Sequence, residues 1–193
     1  MFYFLIPLLV GFGFNLASAF TSFYSRRWGK RRGQLVTILF RDVLGIPVWV
    51  LGLGLAMRTP SPALFASNSM TQISGWLLLL IGGLIILAAL FTIRLLAAAP
   101  TNQDKLVKIG LYASVRHPIH TGTFFEFVGL FLIAPSLNMA AACMVGCIWI
   151  LIQTRMEEVD LLQRMPEYRQ YMQSVPRFWP RLRRKAAKPT RQE

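Results

Sequence analysis

The chain has 193 residues, 54% of them hydrophobic and only 15% charged, with a mean hydropathy of +0.48 and a formal net charge of +13. Soluble domains of this size carry more charge, so an ordinary soluble globule is excluded and an integral membrane protein is expected. The basic residues sit in loops and tail between apolar runs, which suits membrane topology and anionic headgroups; membrane lipids are the expected partners, and no nucleic acid is.

Residues Met1 to Tyr24 are apolar and long enough to cross a bilayer as a helix. Ala17-Ser18-Ala19 matches a signal-peptidase pattern, but the basic cluster Arg26, Arg27, Lys30, Arg31 and Arg32 follows the apolar run instead of preceding it. A retained first span with its N-terminus outside is therefore expected. The second span, about Gln34 to Met57, carries Arg41 and Asp42, which either line a polar cavity or form a structural pair. An outer loop follows from Arg58 to Ile73. The third span runs from Ser74 to about Ala98, with Gly82-Gly83 available for close helix approach and Arg94 near its inner end.

After the polar segment Thr101 to Arg116 comes an apolar hairpin: Thr121 to Ala134, a turn at Pro135-Ser136-Leu137-Asn138, and Met139 to Gln153. Arms of 14 and 15 residues would cover only about 21–23 Å at ~1.5 Å per residue, short for a bilayer. Cys143 and Cys147 lie four apart inside the second arm, as small packing residues. They imply neither a disulfide framework nor a zinc site, and no metal centre is expected anywhere in the chain.

From Met156 the apolar residues Leu161, Met165, Tyr168, Met172 and Val175 recur at helical spacing, predicting an amphipathic helix that lies at the interface or caps the bundle, interrupted by Pro166. Lys and Arg number five in the first inner loop, three in Lys105, Lys108 and Arg116, and ten from Arg155 onward, against one in the outer loop. The expected fold is an all-α polytopic bundle of about five transmembrane helices with a C-terminal interfacial helix, N-terminus outside and C-terminus cytoplasmic. It divides into a three-span region over 1–99, a loop, hairpin and interfacial helix over 100–180, and a basic tail over 181–193.

The stretch Lys108 to Gly122 interrupts this pattern with charge. His117 precedes a proline, so a helix is expected to begin at Pro118, with free amides near His120 and Arg116 beside them as an anion site. Gly122 and Gly129 would allow close approach near Glu126. Arg155, Glu157 and Glu158 return to the same depth from the other arm.

In order, Gly110-x-Tyr112, Arg116-His117-Pro118-x-x-x-Gly122, Glu157-Glu158-x-x-Leu161, Tyr168-x-x-Tyr171 and Val175-Pro176-Arg177-x-x-Pro180 resemble the isoprenylcysteine carboxyl methyltransferase family and its phospholipid methyltransferase relatives, over about Lys105 to Pro180. The resemblance implies an S-adenosylmethionine-dependent methyltransferase acting on a hydrophobic or lipid-like substrate, its cofactor on the cytosolic side. It implies that Tyr112, Arg116, His117, Pro118, His120, Gly122 and Glu157 bind the cofactor, and that Arg155, Glu158 and Arg177 serve catalysis. The family usually has Tyr in place of His120 and Phe-Gly in place of Met165-Pro166. Methyl transfer from a sulfonium to an anion cancels charge, so a low-dielectric pocket aligning both groups suffices; a neutral thiol or amine would need a base among His117, His120 and the glutamates. A reductase of the sterol type and a non-enzymatic lipid- or partner-binding protein are the alternatives.

Overall fold

The computed structural model describes residues 2–97 and 106–180; the basic tail, the segment 98–105 and the Arg94 side chain lie outside the described part. The described residues form seven helices and no strand, with a 3-10 turn at Gly110–Ala113: α1 Leu5–Ser18, α2 Thr21–Trp28, α3 Lys30–Arg58, α4 Ser69–Ala97, α5 Pro118–Ile133, α6 Leu137–Arg164 and α7 Tyr168–Ser174. Three of them, α3, α4 and α6, are long and apolar enough to span a membrane, and α1 with α2 makes a fourth if that bent pair is one span. The apolar α5, with 16 residues, falls short of that length, so the described residues hold three to four spans where about five were expected.

The first span is not one straight helix: α1 and α2 meet at 60°. The Ser18 hydroxyl donates to the Asn15 carbonyl at 2.6 Å, and Thr21 and Ser22 follow, so side chains compete for the backbone where the ladder breaks. Within α3, residues Leu39–Gly45 wind as a π-helix. The Arg41 carbonyl accepts from the Ile46 amide and also from the Asn15 side-chain amide of α1, the latter at 3.4 Å.

The central element is α6, with α1 and α3 on one side and α5 on the other. Phe12 of α1 stacks on Trp149 of α6 with ring centroids 4.4 Å apart, and Phe127, Met139 and Ile150 complete that core. Helix α4 packs mainly on α5. Gly75 faces Gly129 and Gly82 faces Gly122, and a Cβ on any of these would come within 2.8 Å of a backbone carbonyl opposite. The seven-residue spacing in both antiparallel helices brings the backbones together where no side chain fits. Elsewhere α4 exposes Trp76, Leu80, Leu84 and Phe91, an apolar surface suited to hydrocarbon.

Two expectations need correction. Helix α6 does not stop near Gln153 but continues to Arg164. No Gly or Pro intervenes, so the change in composition marks where the helix leaves its apolar surroundings, not where it ends. Gly122, expected in a cofactor pocket, is instead spent on the contact with α4. The chain breaks at Met165-Pro166 as expected, and Met165, Tyr168, Tyr171 and Val175 pack into one cluster capping the bundle.

Candidate functional site

At the end of the bundle where α5 begins, the residue before Pro118 is held out of the helix, with His117 at φ −123° and ψ 64°. The amides of Arg116 and His117 donate to the carbonyls of Pro176 and Arg177 at 2.9 and 3.1 Å, and the Thr121 hydroxyl donates to that of Phe178 at 3.0 Å. The chain after α7 therefore forms one wall of the site.

Glu158, only 1% exposed, is the hub of this wall. Arg116 Nε donates to its Oε1 at 3.1 Å, Arg177 Nε reaches the same oxygen at 3.1 Å, and His117 Nε2 lies 3.3 Å from it. Arg177 also donates to Oε2. Arg116 spends its remaining donors on the carbonyls of Met172 and Val175, at 2.7 and 2.8 Å. A buried carboxylate is tolerated when it is so fully paired.

Glu157 differs. Its side chain remains 31% exposed and lines a cavity of about 340 Å³, a size that suits a small ligand. Its Oε2 lies 3.5 Å from His117 Nδ1 and its Oε1 3.8 Å from His120 Nε2, while Gln153 donates to Oε1 at 2.9 Å. Burial opposes charging of His117, but hydrogen bonds and negative charge from Glu157 and Glu158 outweigh it, so its pKa lies above the usual histidine value. Burial, helped by Glu157, raises the pKa of the Tyr112 phenol; burial also pushes that of Tyr171 up to about 12. Both are neutral hydroxyls, and Tyr171 uses its own to hold the Tyr112 carbonyl at 2.5 Å.

The cavity runs from this polar corner to the N-terminal helices, bounded by Tyr112, Arg116, His117, Pro118, His120 and Glu157 at one end and by Asn15, Thr37, Arg41 and Trp49 at the other. Of the residues the sequence singled out, the structure thus brings six to the cavity. Glu158 and Arg177 lie behind it, paired with each other. Arg155, expected to face the reacting groups, is exposed and does not line it: it lies about 200° around α6 from both Gln153 and Glu157. Arg41 and Asp42 satisfy both readings offered for them, since they form a two-pronged ion pair at 2.8 and 3.0 Å and Arg41 also reaches the cavity.

Sequence reasoning missed Gln153, Trp49, Trp149 and Asn15. Gln153 ties Glu157 to the Asn15 carbonyl of α1 at 3.2 Å. That contact uses the backbone carbonyl of residue 15, which any residue carries, so the sequence holds no signal for it. The indole nitrogens of Trp49 and Trp149, Gln153 Oε1 and the Tyr168 hydroxyl are buried without a hydrogen-bond partner, and all four residues line the cavity. Such groups are costly unless a ligand or water completes them, so the lining fits a ligand with several polar groups on an apolar frame.

Residues 70–167 match the family described as phospholipid methyltransferase. No curated protein and no solved structure matches the chain.

Proposed function

The chain belongs to the phospholipid methyltransferase family, and from that premise we propose that this membrane methyltransferase uses S-adenosylmethionine to methylate a lipid-soluble or small hydrophobic acceptor bearing a carboxylate, thiol or amine. The observation that carries the reading is one cavity that joins the charged corner at the start of α5 to the N-terminal helices, lined by apolar and aromatic side chains among which indole, amide and phenol groups lack partners.

S-adenosylmethionine supplies, when bound, a methyl group on a cationic sulfur. The residues that would hold it are Tyr112, Arg116, His117, Pro118, His120 and Glu157, with Tyr168 and Gln153 offering their unpartnered atoms. Glu157 is the carboxylate open to the cavity and balances positive charge there. Trp49 and Trp149, adjacent to each other and the latter beside His120, limit water there, which strengthens electrostatic interactions inside. For a neutral acceptor, His120 lines the cavity and can take the proton. Glu158 and Arg177 act as positioning residues, fixing the wall that presents Arg116 and His117. In this reading 100–180 carries the donor, 1–99 admits the acceptor from the bilayer, and the tail 181–193 meets anionic lipid. The basic end faces the cytoplasm of a bacterial inner membrane.

Calorimetry on the folded protein in detergent tests the donor: S-adenosylmethionine should bind, and His117→Ala or Glu157→Ala should weaken it. Absence of binding by protein shown to be folded overturns the proposal. A screen with radiolabelled donor against total membrane lipids and prenylated thiols then identifies the acceptor.

A further inference from the structure

The polar corner holds a grouping the sequence did not foreshadow. His117, His120 and Glu157 each direct one ligand-type atom to a common point, all within 4.8 Å of one another. The two histidines come from the start of α5, three residues apart, and the carboxylate comes from α6. A tetrahedral ion bonded at about 2.0–2.1 Å holds its ligand atoms about 3.4 Å apart. The 3.5 Å between Glu157 Oε2 and His117 Nδ1 is close to that spacing; the 3.8 Å contact to His120 Nε2 is made by the other carboxylate oxygen, so an ion would draw the three ligand atoms in from the 4.8 Å within which they now lie.

Supporting contacts point the same way. The other ring nitrogen of His117 faces Glu158, itself held by Arg116 and Arg177. A histidine that gives one nitrogen to a buried carboxylate and turns the other to a shared point has the carboxylate–histidine arrangement found behind metal ligands. Gln153 likewise fixes Glu157 through Oε1 at 2.9 Å. The cavity leaves the fourth side open.

We propose that His117, His120 and Glu157 bind one divalent transition-metal ion of the zinc class, with Glu158 and Gln153 orienting the ligands and the open coordination position facing the cavity. Three protein ligands with one open position is the composition of sites that take up a further ligand, whereas structural zinc sites are closed. The chemistry that position accepts is a thiolate or carboxylate, anionic acceptors that need no base, so in the ion-loaded site His120 is a ligand and not the proton acceptor that a neutral substrate would require. That extension rests on the methyltransferase reading; metal binding does not.

The test uses full-length protein in detergent, stripped with chelator, re-equilibrated with Zn²⁺ and freed of excess ion, and a parallel sample with Co²⁺ for its visible spectrum. The expected result is about one Zn²⁺ per chain, with Co²⁺ bands typical of nitrogen and oxygen ligands. His120→Tyr and Glu157→Gln should each lower Zn²⁺ affinity by about 100-fold or more, beyond what loss of a supporting partner does. Arg169→Ala, on an exposed position of α7, should leave it unchanged. A stoichiometry far below one, a thiolate charge-transfer band implicating Cys143 or Cys147, or unaltered affinity in Glu157→Gln would overturn the site. If His120→Tyr does not fold, the wild-type Co²⁺ spectrum and Glu157→Gln decide the matter. No methyl donor enters the measurement, so its failure is separate from failure of the methyltransferase reading.

Discussion

Arg116 and Glu158, 42 positions apart, meet inside the protein with Nε 3.1 Å from Oε1, and Arg177 closes on the same carboxylate from the other side. One buried acid thereby joins the loop before α5, the inner end of α6 and the chain after α7. Removing one partner of such a set leaves charge buried and unpaired. We expect Glu158→Gln to cost about 3–5 kcal/mol of stability, as breaking a buried pair does. Thermal unfolding in detergent reads this directly, and an unshifted midpoint would contradict the hub role.

The neighbouring acid should behave in the opposite way. Glu157 is partly open to the cavity and its contacts with the histidines are longer. Glu157→Gln is expected to leave the melting midpoint within a few degrees of wild type, far closer than Glu158→Gln, while ligand binding in calorimetry is lost. The pair of variants separates site chemistry from scaffold, and equal destabilisation would count against the distinction.

Helix contact makes a third prediction. A Cβ at Gly82 would lie 2.6 Å from the Gly122 carbonyl, whereas one at Gly54 would meet nothing within 4 Å. Gly82→Val should therefore destabilise by about 1–3 kcal/mol through overpacking. Gly54→Ala should be neutral or stabilise by up to about 1 kcal/mol, because Ala restricts the unfolded chain. Melting curves of the two variants compared with wild type check both signs.

Tyr171→Phe removes the hydroxyl that holds the Tyr112 carbonyl while keeping the ring in its cluster. The expected loss is about 0.5–1.5 kcal/mol in stability, the net worth of one hydrogen bond. Ligand affinity should fall as well, since Tyr112 lines the cavity. A variant with unchanged affinity would mean that the position of Tyr112 does not matter to the ligand.

What the sequence revealed, and what it hid, follows from the range of the forces involved. Apolar length and basic asymmetry marked the spans, and proline fixed the start of α5 after His117 and the break at Pro166, because these act within a few residues. The convergence of Arg116 and His117 with Glu157 and Glu158 was legible from motif order. Which carboxylate would be sealed and which left open was not: it depends on Arg177 and the carbonyls of Met172 and Val175 arriving from a later segment. The facing of Arg155 was misjudged because α6 was expected to end before it. The N-terminal wall stayed hidden because Asn15, Trp49 and Thr37 are each unremarkable alone, and only helix packing brings them to one cavity.

The amides of Arg116 and His117 are bonded to carbonyls 60 positions later in the chain. Domains assemble from the N-terminus as synthesis proceeds, yet Arg116 and His117, which line the cavity, lack these backbone partners until the segment through Phe178 has emerged and docked. All the helices from α1 to α6 can therefore be in place in a molecule that still has no competent site. The docking of residues 176–178 is thus a closing step for the loop before α5, separate from insertion of the helices.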